Sequence, residues 1–311
     1  MELIRGLHNL KNQTGCALTI GNFDGVHAGH QEIIKKLVST AKKLNLPSLV
    51  VSFSVTPESF FGRPKARLSS FRDKHLYLKS LGVDKHLLIR FNKSFSQISA
   101  HSFIEDVLVK KIKAKYCYVG DDFRFGKDRL GDCNMLQEHS IDHGFTVEIV
   151  DGVGIDNQRV SSSAIRKLLS SGDFQTAEKL LGRPFAISGR VAHGDKQGRT
   201  IGFPTANISI RRNLSPVLGV FSVLIRINNI TYKGVCNVGK RPTLGGLKVL
   251  LEVFIFDFNQ EIYGGYVTVF FKQKCREEIK FNSLEELKNQ IKKDVKKSKQ
   301  YFQDARIDQS I

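Results

Sequence analysis

Gly21-Asn22-Phe23-Asp24-Gly25-Val26-His27-Ala28-Gly29-His30 follows an apolar run, Ala17-Leu18-Thr19-Ile20, that reads as a buried strand. It precedes Gln31–Val38, whose apolar positions recur at helical spacing. Glycines and two histidines therefore sit on a turn between a first strand and a first helix. In an open α/β sheet, ligands bind just beyond the carboxyl ends of the strands. A helix N-terminus there offers unpaired N–H groups and a positive dipole end to phosphate. His27 and His30 add imidazole donors, and Gly21, Asn22, Phe23, Asp24 and Gly25 supply the rest of a nucleotide-phosphate loop. This is what nucleotidyl transfer needs, because the attacked α-phosphate must be held and its developing charge met. A metal reading of the two histidines finds no third ligand at zinc spacing.

Outward from this loop, strands and helices alternate to about Leu181. Short β-rich runs fall at Ser48–Ser54, Lys85–Arg90, Lys115–Val119 and Phe145–Val150, with helical patterns at Ser70–Leu81, His101–Ile112 and Cys133–His143. Such alternation implies parallel strands joined by right-handed crossovers, a doubly wound α/β domain. After Gly182-Arg183-Pro184-Phe185 the texture changes. Runs rich in Val, Ile, Phe and Tyr follow at Ala186–Val191, Val220–Asn228, Ile230–Val235, Val249–Asp257 and Tyr266–Lys274. Turns such as Asn228-Asn229 and Gly245-Gly246 separate several of them, which predicts a small antiparallel β-barrel. A closing helix over Ser283–Phe302 opens on a capping box, Ser283-Leu284-Glu285-Glu286. The expected division is residues 1–183 and 184–311.

With 311 residues, two domains of ordinary size are expected. No apolar run approaches membrane-spanning length, and no signal peptide is evident. Cys16, Cys117, Cys133, Cys236 and Cys275 are odd in number and scattered, which argues against disulfides and zinc knuckles and points to a reducing cytoplasm. The formal net charge of +18 would attract polyanions and steer phosphorylated ligands. Its densest cluster, Lys288, Lys292, Lys293, Lys296, Lys297 and Lys299, interleaves with Leu284, Leu287, Ile291 and Val295. That pattern is the solvated face of an amphipathic helix, and no specific nucleic-acid partner is expected, since no aromatic-rich reader motif accompanies it.

Two more segments carry chemistry in the first half. Gly120-Asp121-Asp122-Phe123-Arg124-Phe125-Gly126 follows a strand, so Arg124 could clamp phosphate and Phe123 or Phe125 could stack on a flat ring. Val160-Ser161-Ser162-Ser163-Ala164-Ile165-Arg166 opens a helix. Serines there cap N–H groups with or without a ligand, but Arg166 opposes the positive dipole end, a conflict that a bound phosphate resolves. The string G-N-F-D-G-V-H-x-G-H resembles the HxGH signature of nucleotidyltransferases, and more narrowly the adenylyltransferase half of the bacterial bifunctional riboflavin kinase/FAD synthetase family. The other two segments resemble that family's second and third elements. The resemblance implies flavin contacts at Asp122, Phe123 and Arg124. It also implies ATP contacts at Ser162, Ser163 and Arg166, with His27, His30 and Arg166 acting in adenylyl transfer.

In the second half, Gly194, Gly198 and Gly202 alternate with Lys196 and Arg199, a loop whose backbone can approach phosphate but which is no Walker A loop. Glu252 interrupts the apolar strand Val249–Asp257, where a carboxylate is costly unless used. Gly202-Phe203-Pro204-Thr205-Ala206-Asn207 is similar to a riboflavin kinase fingerprint. The likeness implies that Gly194, Lys196, Gly202, Pro204, Thr205 and Asn207 meet ATP. It further implies that Thr205 and Asn207 hold Mg²⁺, for which a hydroxyl and an amide carbonyl are suitable hard ligands. Glu252 falls where riboflavin kinases place the base for the ribityl hydroxyl. Gly234–Thr243 and Arg276–Phe281 match as well, placing Arg276 and Phe281 against the flavin and leaving Cys236 to packing. The expected substrates are riboflavin, FMN and ATP. A nucleotidyltransferase acting on some other acceptor would leave the P-T-A-N half unexplained.

Overall fold

The structure, a computed structural model, describes residues 1–11, 13–193, 202–210, 213–243 and 246–304. The chain divides into two compact units, Met1–Lys65 with Phe71–Ser161, and Ala66–Ser70 with Ser162–Ile311.

The first unit is built on β1 (Glu2–Arg5), β2 (Cys16–Ile20), β3 (Ser48–Val55), β4 (Lys85–Arg90), β5 (Ala114–Gly120) and β6 (Thr146–Val150). They form one sheet in the order β1-β4-β3-β2-β5-β6, with every pair parallel. β2 is buried along its whole length because helices cover both faces, so it reads as an unbroken apolar run. On one face Leu18, Leu49 and Leu87 pack against Ile104 and Leu108 of the Phe103–Ile112 helix. On the other, Ala17 and Val50 meet Ile34 and Leu37 of the Ala28–Lys43 helix and Leu78 of the Phe71–Ser80 helix. From β2 the chain winds outward through β3 and β4, then returns to lay β5 on the opposite side of β2. The carboxyl ends of β2 and β5 therefore flank the switch point, where doubly wound sheets bind ligands. A two-stranded ribbon, β7 (Gly154–Ile155) with β8 (Gln158–Arg159), follows the sheet.

The second unit begins with two helices, Ser162–Ser171 and Phe174–Leu181. Next come β9 (Ala186–Ala192), β10 (Ala206–Ser209), β11 (Gly219–Ile227), β12 (Ile230–Thr243), β13 (Gly246–Ile255) and β14 (Tyr266–Arg276). They close into a barrel in the order β10-β13-β12-β11-β14-β9, all antiparallel. Closure leaves no edge to protect. Asn228 and Asn229 join β11 to β12 with φ of 47° and 66°, as a type I′ turn demands. The Leu284–Asp304 helix lies on the barrel through Phe302 and Val295. Arg276 pins it by donating to both carboxylate oxygens of the buried Asp294, with Nη2 to Oδ2 at 2.8 Å. The expected architecture, a doubly wound parallel sheet followed by an antiparallel barrel with a closing helix, is the one observed.

Candidate active sites

The Gly21–His30 loop leaves β2 at the switch point. Phe23 and Val26 are buried, and they anchor the loop while their backbones take φ of 44° and 41°, with Gly25 at 81°. Left-handed backbone at a β-branched valine is strained, and such strain persists only where packing over-determines it. His27 caps the helix, its Nδ1 accepting from the His30 N–H at 3.4 Å, and the two imidazoles stack with centroids 3.5 Å apart. The predicted histidine pair is thus one structural unit at a helix N-terminus. Asn22 donates through Nδ2 to Glu58 Oε2 at 3.3 Å, and its carbonyl accepts from Lys74 Nζ at 2.9 Å. The Phe23 ring belongs to the core, whereas Asp24 is half-buried.

Gly120–Gly126 leaves β5 beside it. Asp122 and Arg124 are exposed, Phe123 is half-buried, and Phe125 is the buried plug, stacked 5.5 Å from Phe123. Cys133, to which the sequence reading gave no role, lies close to three carbonyls of this loop, with Sγ 3.4 Å from the Gly120 oxygen. Burial pushes its thiol pKa up, so it stays a protonated donor. Also unforeseen is an aromatic group beyond β3 and β4, Phe60, Phe61 and Phe91, with centroids 5.1–5.9 Å apart and Phe61 63% exposed. Its signal was Thr56-Pro57-Glu58, an N-cap with proline at the first helical position, which sets a helical turn just after β3. Ser162, Ser163 and Arg166 open the first helix of the second unit, and Arg166 Nε donates to the Ala66 carbonyl at 2.6 Å.

In the barrel, β13 alternates strictly. Leu251 and Val253 are buried, while Leu250, Glu252 and Phe254 are half-buried on the other face. The carboxylate so prominent in an apolar sequence is therefore placed by a period of two, facing away from the residues that fill the barrel. Its register partners are Asn207 on β10 and Asn237 on β12. Directly paired residues share a face with Cβ atoms about 5 Å apart, so Asn207, Glu252 and Asn237 form a polar row across three strands. Pro204 and Thr205, just before β10, line a cavity of about 380 Å³ with Val253, Ile255 and Tyr263. Arg276 is engaged with Asp294, and its guanidinium lies 5.8 Å from the Phe281 ring. Cys236 is buried, and burial raises its thiol pKa. Gly202 is exposed, and Gly194 and Lys196 lie outside the described residues.

Two family models match the chain: FAD synthetase over residues 9–164 and riboflavin kinase over residues 181–302. The bifunctional riboflavin kinase/FMN adenylyltransferase of Haemophilus influenzae is 49% identical, over 97% of this chain and 99% of its own length. That of Escherichia coli K12 is 45% identical, over 97% and 98%. The chain belongs to the bifunctional riboflavin kinase/FMN adenylyltransferase family. A solved structure described as a macrolide-efflux protein from Streptococcus pneumoniae also superposes, with a TM-score of 0.78 and 32% identity over 94% of this chain and 97% of that one. Among the described residues, no helix here is long and apolar enough to cross a membrane. Membership gives both halves a nucleotide substrate.

Proposed function

We propose that this chain phosphorylates riboflavin to FMN with its barrel and adenylylates FMN to FAD with its parallel-sheet unit, ATP serving both steps in the cytoplasm. Functionally the division falls at residues 1–183 and 184–311. The observation that carries the reading is the register of β10, β13 and β12, which sets Glu252 directly opposite Asn207 although they lie far apart in sequence. A base and a metal-and-phosphate ligand on one face of adjacent strands suit phosphoryl transfer, which asks a protein chiefly for positioning and charge neutralisation.

In the kinase step Glu252 takes the proton of the primary ribityl hydroxyl as its oxygen attacks the γ-phosphorus and ADP leaves. Thr205 and Asn207 offer hard oxygen donors that fit Mg²⁺, which when bound neutralises charge on the ATP phosphates. The resemblance assigns ATP contacts to Gly194, Lys196 and Gly202 as well, the first two outside the described residues. Arg276, through its hold on Asp294, keeps Phe281 and the closing helix in place beside the flavin.

In the second step an FMN phosphate oxygen attacks the α-phosphorus of ATP and pyrophosphate leaves. The attacking group is already an anion, so no side-chain nucleophile is needed. His27 and His30 meet the charge that builds in the transition state, and the Gly21–Gly25 backbone binds the triphosphate; the family resemblance assigns Ser162, Ser163 and Arg166 to ATP in the same reaction. Asp122, Phe123 and Arg124 contact FMN, and the open faces of Phe60 and Phe61 suit a flat tricyclic ring.

The test separates the two activities in one chain. Glu252→Gln should abolish FMN formation from riboflavin and leave FAD formation from added FMN intact. A His27→Ala/His30→Ala variant should accumulate FMN and release little pyrophosphate. Chromatography of the fluorescent flavins reads both, and a variant that loses both activities or neither refutes its assignment.

A further inference from the structure

Lys74 lies on the Phe71–Ser80 helix and is only 9% exposed, unusual for a residue type that is almost never buried unless paired. Its Nζ donates to the Asn22 carbonyl at 2.9 Å. Asn22 begins the stretch in which Phe23, Gly25 and Val26 all adopt positive φ before His27 caps the helix. The other side of Asn22 is tied as well, through Nδ2 to Glu58, which itself lies 3.8 Å from Lys65. A strained loop is thus held at its entrance by a buried cation. The interior around that cation carries no second positive charge from His86, which has no exposed surface. Burial first, then Lys74 and His75, push its pKa down to about 3 and keep it neutral.

We propose that Lys74 is a positioning residue for adenylyl transfer, fixing the Asn22 carbonyl so that the 21–30 loop is preset to receive the ATP phosphates. This rests on the reading of that loop as the ATP site. A hold on the loop acts in the ground state and the transition state alike, so its removal weakens ATP binding more than turnover.

The full-length chain is assayed as wild type, Lys74→Met, Lys74→Arg and His27→Ala/His30→Ala, with riboflavin phosphorylation by the same preparations as the internal control. Lys74→Met should raise the ATP KM of FMN adenylylation at least tenfold, change kcat less than threefold, and leave riboflavin phosphorylation within twofold. Lys74→Arg should recover most of the lost ATP affinity. A Lys74→Met enzyme with wild-type ATP KM overturns the inference, as does one whose melting temperature falls while its ATP KM stays put. Should Lys74→Met not fold, Lys74→Gln carries the same expectation and the same refutation. A histidine variant with normal adenylylation would sink the ATP-site reading itself. With that variant inactive and Lys74→Met normal, only the role of Lys74 is lost.

Discussion

His86 has both ring nitrogens engaged, Nε2 with Ser52 Oγ at 2.7 Å and Nδ1 with His75 Nδ1 at 3.1 Å. Its pKa of about 3, set mainly by burial, means that the folded protein does not protonate it across the mildly acidic range. The unfolded chain does so near the ordinary value of about 6.5. Between those values the unfolded state binds the extra proton, so stability is full above about pH 6.5 and falls as pH drops, by about 1.4 kcal/mol per unit. His86→Gln should be less stable than wild type at pH 7 but lose less on going to pH 5. Denaturant midpoints at pH 7, 6 and 5 measure this, and parallel losses would show that the imidazole is not held neutral. At this scale the sequence was informative about Glu252, which stands out as a carboxylate in an apolar run. What it left out is the face, for Leu250, Glu252 and Phe254 share a half-buried side of β13 while Leu251 and Val253 are buried. Lys74 and Cys133 were silent, since neither their burial nor their carbonyl partners leave a trace in local sequence.

Among the elements, strands buried on both faces or strictly alternating were legible, and so was the Cys133–His143 helix, whose N-cap Asp132 and C-cap Gly144 bracket it. β1 and β10, four residues each, are too short and too polar to show a period; register with β4, and with β9 and β13, is what makes them strands. The loops were harder. Phe125 and Gly131 exchange backbone hydrogen bonds across the base of the loop after β5, both at 3.0 Å, and Gly126 turns there with φ of 74°. A Cβ on Gly126 would stand 2.6 Å from the backbone of Ala100, which cannot yield as a side chain could. Gly126→Ala should therefore displace the loop bearing Asp122, Phe123 and Arg124. The expected result is FMN adenylylation reduced tenfold or more through a raised KM for FMN, with riboflavin phosphorylation kept. Normal FMN affinity would mean that the loop tolerates the shift or does not touch the flavin.

At the scale of the molecule, family motifs and packing divide the chain at different places. The riboflavin kinase match begins at residue 181, whereas the compact barrel unit takes in everything from Ser162. The reason is visible in the side chains. Phe174 packs its ring 5.8 Å from Phe221 and 5.9 Å from Phe271, and Ala177, Leu180 and Leu181 are buried with it. Lys274 of β14 donates to the Ser170 carbonyl at 3.0 Å and passes so close to Gly172 that a Cβ there would lie 2.8 Å from its own. The two helices before the barrel are therefore part of its fold, although motif reading gave Ser162, Ser163 and Arg166 to the other reaction. A fragment of residues 184–311 retains Thr205, Asn207 and Glu252 but leaves Phe221 and Phe271 without their cover. Deleting a buried phenylalanine alone costs about 3–5 kcal/mol, a large share of the stability of a domain this small. A fragment of residues 162–311 should fold cooperatively and phosphorylate riboflavin. The 184–311 fragment should melt at least about 10 °C lower, with activity recovered only at reduced temperature. Circular dichroism melts and flavin turnover on the two purified fragments decide the matter. Equal melting temperatures would mean that the helices merely rest on the barrel, and the kinase half would then end where its motifs do.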